Sequence, residues 1–444
     1  MIRLPPHAAG AIRRLEAAGF ETWAVGGCVR DSLRGAVPHD WDLCTAAQPD
    51  EMQTIFAGER MLATGLQHGT LTLLTSGGPL EITTFRADVG CSDGRHPDAV
   101  RFVGSVEDDL RRRDFTIGAM AWHPERGLCD PFGGLDDLET GVLRAVGEPD
   151  VRFAEDGLRI LRAVRFAAAL GFSVEPATAA AMRRQLARLD CVSPERVRDE
   201  LTRTICGRFA LRALMEFADV IGYALPELKP MFGCAQQNPH HLYDVWEHTI
   251  RALGQVPGDA ALRWAMLLHD CGKPACKTVD ENGVGHFYGH PKVSCEIAGH
   301  LLSRLRFSRA DAARILLLVE QHDCPLGETD KLMRRQLSRI GEARLRDLLA
   351  VKKGDTIGRG TCPEDVAKLF RAEQRLNQVL AAEACFSLRH LAVNGNDMLA
   401  LGLSGSAVGQ MLHALLNAVI EDQAENTRPA LLSLARAKME DRHE

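Results

Sequence analysis

Strand signals crowd into the first 140 residues of this chain and nearly vanish after Gly141, and that asymmetry limits the fold more than any other feature. Alternating or β-branched runs predict strands at Thr22–Val25, His39–Leu43, Thr70–Leu74 and Leu80–Phe85. The last two flank Ser76-Gly77-Gly78-Pro79, a hairpin signal. Around them, residues 5–18 predict an amphipathic helix, Val29–Arg34 a helical turn and Val106–Ala121 a longer helix. Residues 87–99, polar and rich in Gly, Asp and Pro, read as a loop. Beyond Gly141 helical periodicity takes over, with breaks near Ser193-Pro194, Pro226–Pro230, Gly283–Pro291, Gly354–Pro363 and Gly402–Gly409. The predicted class is α+β, a small mixed α/β head followed by a mainly α-helical body.

A chain of 444 residues is too long for one ordinary domain and suits about two to four. Its 45% hydrophobic and 25% charged residues suit packed cores and not disorder. No stretch approaches the roughly 20 apolar residues of a membrane helix, and the opening MIRLPPHAAG lacks a signal-peptide pattern. Thirteen scattered cysteines form no CxxC pair. These features together predict a cytoplasmic protein with reduced thiols and no membrane partner. The net charge of -6 argues against broad coating of nucleic acid, yet leaves room for a local basic stripe, because phosphate contacts depend on local charge.

Gly26-Gly27-Cys28-Val29-Arg30-Asp31 is followed by His39-Asp40-Trp41-Asp42-Leu43. On a strand, Asp40 and Asp42 would point the same way, about 7 Å apart, and would repel each other without a cation. Hard oxygen ligands suit magnesium. Gly26 and Gly27 carry no side chain to keep phosphate from backbone N–H groups. Glu81, on the second hairpin strand, can complete a site for divalent ions of the kind used to displace pyrophosphate with a hydroxyl. A DxD pattern alone reads equally as a turn or cap. The Gly-Gly turn upstream and the Glu-bearing strand downstream turn the reading toward chemistry.

The run Glu155–Arg162 reads as helix, with Asp156, Arg159 and Arg162 spaced i, i+3, i+6 on one face and Leu158, Leu161 and Val164 turned to a core. Cytosine and adenine both present an amine beside a ring-nitrogen acceptor. A carboxylate and a guanidinium together can admit both and reject uracil and guanine. A helical ion pair is the alternative reading of the same spacing.

GGCVRDSLRG with HDWDLCTAAQPDE, followed in order by LEITTFRAD, DGRHPDAVRF, EDDLRRRDFTIGAMA, DPFGG, EDGLRILRAVRFAAALGF and SPERVRDEL, resembles the polymerase-β-type nucleotidyltransferases. The resemblance is to the class II branch of bacterial CCA-adding enzymes and poly(A) polymerases, and it spans residues 23–200. It implies a nucleotidyltransferase that uses CTP and ATP to build or repair the 3′ end of tRNA. Asp40 and Asp42 would be the Mg2+ ligands of the head and Glu81 the supporting acid. Gly26, Gly27, Arg30, Arg112, Arg113 and Asp114 would bind the nucleotide's triphosphate and ribose, and Asp156, Arg159 and Arg162 would act as its amino-acid template. The loop Asp93–Pro97 resembles the element that switches addition from C to A. Arg165, Arg196 and Arg198 could track tRNA phosphates. One departure stands out: the family usually carries Asn where this chain has Gly118.

A second constellation begins at His248 in YDVWEHTIRAL. His269-Asp270 closes the apolar run RWAMLLHD, and His286, His290, His322 and Asp355 follow. The stretch is similar to the HD phosphohydrolase superfamily. That similarity implies a divalent transition metal held by His248, His269, Asp270 and Asp355, and a second held by His290 and His322, with Lys273 near the substrate phosphate. A decayed HD fold kept for structure is the alternative. The implied organisation is a nucleotidyltransferase head over 1–140, a helical neck with template and RNA-binding helices over 141–230, an HD-type helical domain over 231–360 and a helical tRNA-binding tail over 361–444. Two other functions share these motifs. A poly(A) polymerase often carries a basic tail, unlike MEDRHE here, and an HD phosphohydrolase could use its head mainly to bind RNA.

Overall fold

The structure, a computed structural model, describes residues 2–62, 65–66, 69–89, 99–239, 241–361, 363–382 and 384–440. The chain forms two compact units, Met1–Pro226 and Glu227–Glu444. The loop Asp93–Pro97 lies outside the described residues.

In the first unit the strands are β1 (Thr22–Val25), β2 (Asp42–Thr45), β3 (Met61–Leu62), β4 (Thr70–Thr75), β5 (Gly78–Thr84), β6 (Arg86–Val89), β7 (Ala99–Phe102), β8 (Ala121–His123) and β9 (Gly127–Cys129). Seven of them form one mixed sheet in the order β3-β4-β5-β2-β1-β8-β9. The hairpin β4–β5 closes on a two-residue turn, with Thr75 opposite Gly78. Strand β2 joins it in parallel and pairs antiparallel with β1, where a buried hydroxyl bridge of 2.8 Å joins Thr22 to Thr45. One side of the sheet buries Trp23, Val25, Cys44, Phe85, Val106 and Leu110 as a continuous core. Burying side chains of this size stabilises a fold by about 1.5–3 kcal/mol each.

Three expectations change here. Both described ends of the expected loop 87–99 are strand: residues 87–89 belong to β6 and residue 99 to β7, and the two strands pair. The predicted helix Val106–Ala121 ends at Arg111. Past it, Phe115 bridges to Ala145, and Thr116 N–H donates to the Arg144 carbonyl, so the chain exchanges helical hydrogen bonds for cross-chain ones. The strand expected at His39–Leu43 starts only at Asp42, and Asp40 lies in a bend before it.

The rest of this unit is helical apart from a two-stranded pairing of Val142–Leu143 with Ser173–Val174. The second unit contains, in order, the helices Val245–Leu253, Ala260–Leu268, His290–Arg304, Arg309–Gln321, Asp330–Ile340, Glu342–Arg359 and Pro363–Ala381, then a tail of Gly395–Ala400, Ser406–Ile420 and Arg428–Glu440. The break expected near Gly354–Pro363 falls at the far end of that range, because the helix runs through Gly354 to Arg359 and ends at Gly360 in the left-handed conformation. Gly354 and Gly358 serve packing instead. A Cβ on Gly358 would lie 2.7 Å from Cα of Ala252, and one on Gly354 2.7 Å from Cγ1 of Val256. The Glu342–Arg359 helix therefore presses backbone-close against Val245–Leu253, which brings Asp355 beside His248.

Candidate functional site

Two separate sites emerge, one in each unit. In the head, Asp42 is the first residue of β2 and stands in register with Glu81 of β5. Asp40 precedes it on an exposed bend, so the two aspartates do not share one strand as expected. Trp41 between them is only 9% exposed and anchors the segment. Burial, together with the charges of Asp40 and Glu81, pushes the Asp42 carboxyl up to about 6 against the opposing pull of Arg113. Such an arrangement favours a bound cation. The three carboxylates still converge less tightly than the clusters of the second unit. Among the described residues, the sets whose ligand atoms all lie within 4.8 Å of one another include none of them.

Gly26 has φ +80°, and a Cβ there would fall 2.7 Å from Nη1 of Arg113. Only glycine lets that guanidinium lie against the turn. Arg112 and Arg113 are both anchored on Asp109, which is fully buried, at 2.9 and 3.5 Å. Sequence reasoning missed Asp109, although its i+3 and i+4 spacing to the two arginines was the available signal. Asp114 accepts from Nε of Arg162 at 2.6 Å. Burial alone would raise this carboxyl, but Arg162 and Arg159 outweigh it and hold it below the usual range. A Cβ on Gly118 would sit 3.7 Å from Oδ1 of Asp114 in ordinary contact. A side chain at this position would therefore start beside Asp114 without a clash at its Cβ. Arg30 pairs with Asp31 at 2.8 Å and lies 5.4 Å from the Phe166 ring centroid.

The expected helical face of Asp156, Arg159 and Arg162 is corrected by a break. One helix ends at Glu155, Asp156 is extended at φ -146°, and the next helix begins at Leu158. Gly157 causes the nip, since a Cβ there would lie 2.3 Å from the Arg188 carbonyl oxygen. Oδ1 of Asp156 accepts from the Leu158 N–H at 2.9 Å, and Oδ2 accepts from Arg196 at 2.8 Å. Arg159 donates to Glu155 at 2.5 Å and to the Arg112 carbonyl at 2.9 Å, tying the neck helix to the head. Leu158, Leu161 and Val164 are buried as expected. Arg165 is paired with the buried Glu200 at 2.6 Å and stacks on Phe166, while Arg198 pairs with Asp199 at 2.9 Å. Much of the charge these arginines would offer to phosphate is thus balanced within the protein.

In the second unit, His248, His269, Asp270, His290, His322 and Asp355 come together from five places in the chain, none more than 8% exposed. Nε2 of His248 lies 3.0 Å from Asp355 and 3.4 Å from Asp270, and Nε2 of His269 lies 3.2 Å from Asp270. On the other carboxylate oxygen, His290 and His322 approach at 3.2 and 3.7 Å. Asp270 is thus common to two groups, His248/His269/Asp270 and Asp270/His290/His322. His269, His290 and His322 each donate Nδ1–H to the backbone carbonyl three residues earlier, those of Met266, Phe287 and Val319. Each ring is thereby held with its Nε2 aimed inward. Nε2 of His290 and of His322 stand 3.1 Å apart, two acceptors face to face beside a carboxylate. The ring nitrogens of His248, Nε2 of His269 and both oxygens of Asp270 are buried without a hydrogen-bond partner. A divalent cation fits this donor set.

Lys273 bonds Asp270 at 2.7 Å and Gln236 at 2.9 Å, within reach of the cluster. Burial opposes the charge on His269, but Asp270 and Asp355 overcome it and raise this imidazole to about 10. Burial and the charge of His269 push His322 down to about 3. His286 stays outside, bonded to Asp280 at 3.0 Å and stacked on Tyr288. His241 was not foreseen. Its ring centroid lies 5.2 Å from that of His248, and its Nδ1 is buried and unpartnered.

Comparison with known proteins matches three family models in order along the chain. The family model described as poly A polymerase head domain matches residues 22–144, that described as probable RNA and SrmB-binding site of polymerase A matches 171–232, and the HD domain model matches 240–355. A CCA-adding enzyme of Lactiplantibacillus plantarum is 32% identical over 431 residues, 96% of this chain and 94% of that protein. An A-adding tRNA nucleotidyltransferase of Deinococcus radiodurans is 37% identical over 411 residues, 89% of this chain and 90% of the other. The crystal structure of the Bacillus stearothermophilus CCA-adding enzyme in complex with CTP superposes with a TM-score of 0.74 at 27% identity, covering 99% of both chains. Among the described residues no helix is long and apolar enough to cross a membrane. With an arginine-framed carboxylate head, a helical neck and an HD cluster in family order along nearly its whole length, the chain belongs to the CCA-adding enzyme family of tRNA nucleotidyltransferases.

Proposed function

We propose that the head adds nucleotides from CTP and ATP to the 3′ end of tRNA in the cytoplasm, completing its CCA. The observation that carries this reading is the register of Asp42 with Glu81, at a carboxyl that burial first, then the charges of Asp40 and Glu81, lift to about 6. In the reaction the RNA 3′-hydroxyl oxygen bonds to the α-phosphorus, the bond to the β-phosphate bridge breaks, and pyrophosphate leaves. Asp40 and Asp42, supported by Glu81, would hold Mg2+. When bound, that ion supplies charge at the α-phosphate and at the attacking oxygen. Arg112 and Arg113, anchored on Asp109, hold the triphosphate over Gly26 and Gly27, with Arg30 beside them. Asp114, steadied by Arg162, takes the ribose. Asp156 and Arg159 read the pairing edge of the base, and Arg162 fixes the neck against the head. Arg165, Arg196 and Arg198 support the face that meets tRNA. The four-part division into head, neck, HD domain and tail is part of this reading.

The test is incubation of tRNA lacking CCA with each labelled nucleotide in turn. Two cytidines followed by one adenosine are expected. Adenosine alone on a CC-ending tRNA would make this an A-adding enzyme, and a run of adenosines on unrelated RNA would favour a poly(A) polymerase.

The shared Asp270 favours a second activity in the other unit, hydrolysis of a phosphate ester at a damaged RNA end, most directly a 2′,3′-cyclic phosphate. A water oxygen would bond to phosphorus, one P–O bond to the ribose would break, and the proton would pass to the released hydroxyl. His248, His269, Asp270 and Asp355, with His290 and His322, would hold a divalent transition metal. Lys273 would hold the phosphate. The activity suits tRNA-end repair, because a blocked 3′ end cannot attack a nucleotide.

A further inference from the structure

A cavity of about 550 Å³ opens against the HD cluster and has Asp355 in its wall. It lies between the helices Glu342–Arg359 and Pro363–Ala381 and the segment 323–328. Its size is that of a pocket for a nucleotide-sized ligand. Five cations line it: Lys352 and Arg359 at the Asp355 end, and Lys368, Arg371 and Arg375 on the opposite helix, Arg375 being paired with Asp330 at 3.4 Å.

Two of these cations bind the cluster itself. Arg359 donates Nη2 to Oδ2 of Asp355 at 2.5 Å, and Lys352 donates to the carbonyl of His322 at 2.6 Å. Nε of Arg359 is buried and has no hydrogen-bond partner. An unpartnered buried guanidinium N–H is costly unless an acceptor arrives, and the natural acceptor is an oxyanion. When Asp355 serves a metal, its charge is shared away from Arg359, which increases that demand. Arg371 is exposed and has no salt-bridge partner among the described residues, and Lys368 pairs only locally, with Asp365 at 2.8 Å.

The same walls carry Asp323, Glu328 and Asp365. Five cations set against these three acids and Asp355 leave a weakly positive pocket. It suits a singly charged phosphodiester better than a triphosphate, whose extra charges would meet the acids.

We propose that this cavity seats the phosphodiester that precedes the cleaved ester, with Arg359 and Lys352 taking its oxygens and Lys368 and Arg371 guiding the strand that leads to it, so that the HD site acts on the end of an RNA strand in preference to a free nucleotide. The proposal rests on the phosphoesterase reading of the HD cluster. It adds the substrate class: a chain of at least two nucleotides ending in a phosphate ester.

The experiment uses the full chain, cytidine 2′,3′-cyclic phosphate, and a fluorescent trinucleotide with the same cyclic end. Assayed with Mn2+, the wild type is expected to favour the trinucleotide at least tenfold in kcat/KM. The Lys368→Glu/Arg371→Glu double variant is expected to reduce that ratio at least fivefold, and Arg371→Lys to retain it. In EDTA, fluorescence anisotropy is expected to show the trinucleotide bound about tenfold more weakly by the double variant than by the wild type. A ratio near one in the wild type, or anisotropy unchanged by the double variant, overturns the proposal. If neither compound is cleaved under any divalent metal, the phosphoesterase reading fails, and the EDTA anisotropy still decides for or against the pocket.

Discussion

Asp42 and Glu81 stand opposite each other in register across the parallel pairing of β2 and β5. Neighbouring strands hold such a pair about 4.8 Å apart at the backbone, and neither residue can retreat without breaking the ladder. The sheet therefore enforces a repulsion that a cation relieves.

Replacing Asp42 with Ala is expected to lower nucleotide addition by at least a thousandfold, while circular dichroism and tRNA affinity stay within a factor of two of wild type. The loss follows from removing a ligand whose charge matters most in the transition state. Addition within tenfold of wild type would exclude Asp42 as a metal ligand.

The same residue predicts a pH-dependent stability. Its carboxyl is raised to about 6 in the folded protein, by burial first and then by Asp40 and Glu81. For a carboxyl shifted upward, folding favours the protonated form, so this group costs stability above pH 6, and the cost fades as pH falls toward 4. In EDTA, Asp42→Asn is expected to stabilise the head by roughly 1–3 kcal/mol at pH 8 and by about a third as much at pH 4.5. Urea melts at the two pH values measure it, and equal gains at both would refute the shift.

Base choice is a separate matter from phosphate grip. Asp156→Ala or Arg159→Ala is expected to relax discrimination against UTP and GTP by at least tenfold, with a smaller effect on the KM for CTP. Selectivity unchanged in both variants would leave Asp156–Arg196 and Arg159–Glu155 as ion pairs with no role in reading the base.

In the second unit, His269→Ala is expected to abolish metal uptake and phosphoester hydrolysis and to spare nucleotide addition. Because His269 is raised to about 10 when no metal is present, uptake must displace a proton, and metal affinity should climb as pH rises toward that value. Calorimetry in buffers of different ionisation enthalpy reads the released proton. Affinity that does not vary between pH 6 and 9 would contradict it.

Much of both sites was legible beforehand, because the chemistry sits in compact sequence blocks. The Gly-Gly turn, Asp42 and Glu81 lie where the spacing suggested, Asp40 falls instead on a bend before the strand, and the histidines and aspartates of the second unit come together as the resemblance implied. What stayed hidden depended on backbone approach. The break between Glu155 and Leu158 follows from Gly157 pressing on the Arg188 carbonyl, a contact 31 residues along the chain that no helical period reveals. The break near Gly354–Pro363 comes only at Gly360, and the glycines before it, Gly354 and Gly358, open a seam for Val256 and Ala252. Asp109 went unread because its partners are the very arginines expected to bind phosphate. Strand β2 began late because Trp41, buried just before it, draws the chain into a bend.

One device recurs three times around Asp270: the imidazoles of His269, His290 and His322 each give Nδ1–H to the carbonyl three residues back. A single turn of chain thus suffices to choose the tautomer and aim each ring. That makes ligand readiness a local property, inherited from the ends of helices and not from the assembled domain. The unit can drift in sequence at its periphery, or breathe during folding, and still present its nitrogens correctly oriented whenever the segments meet.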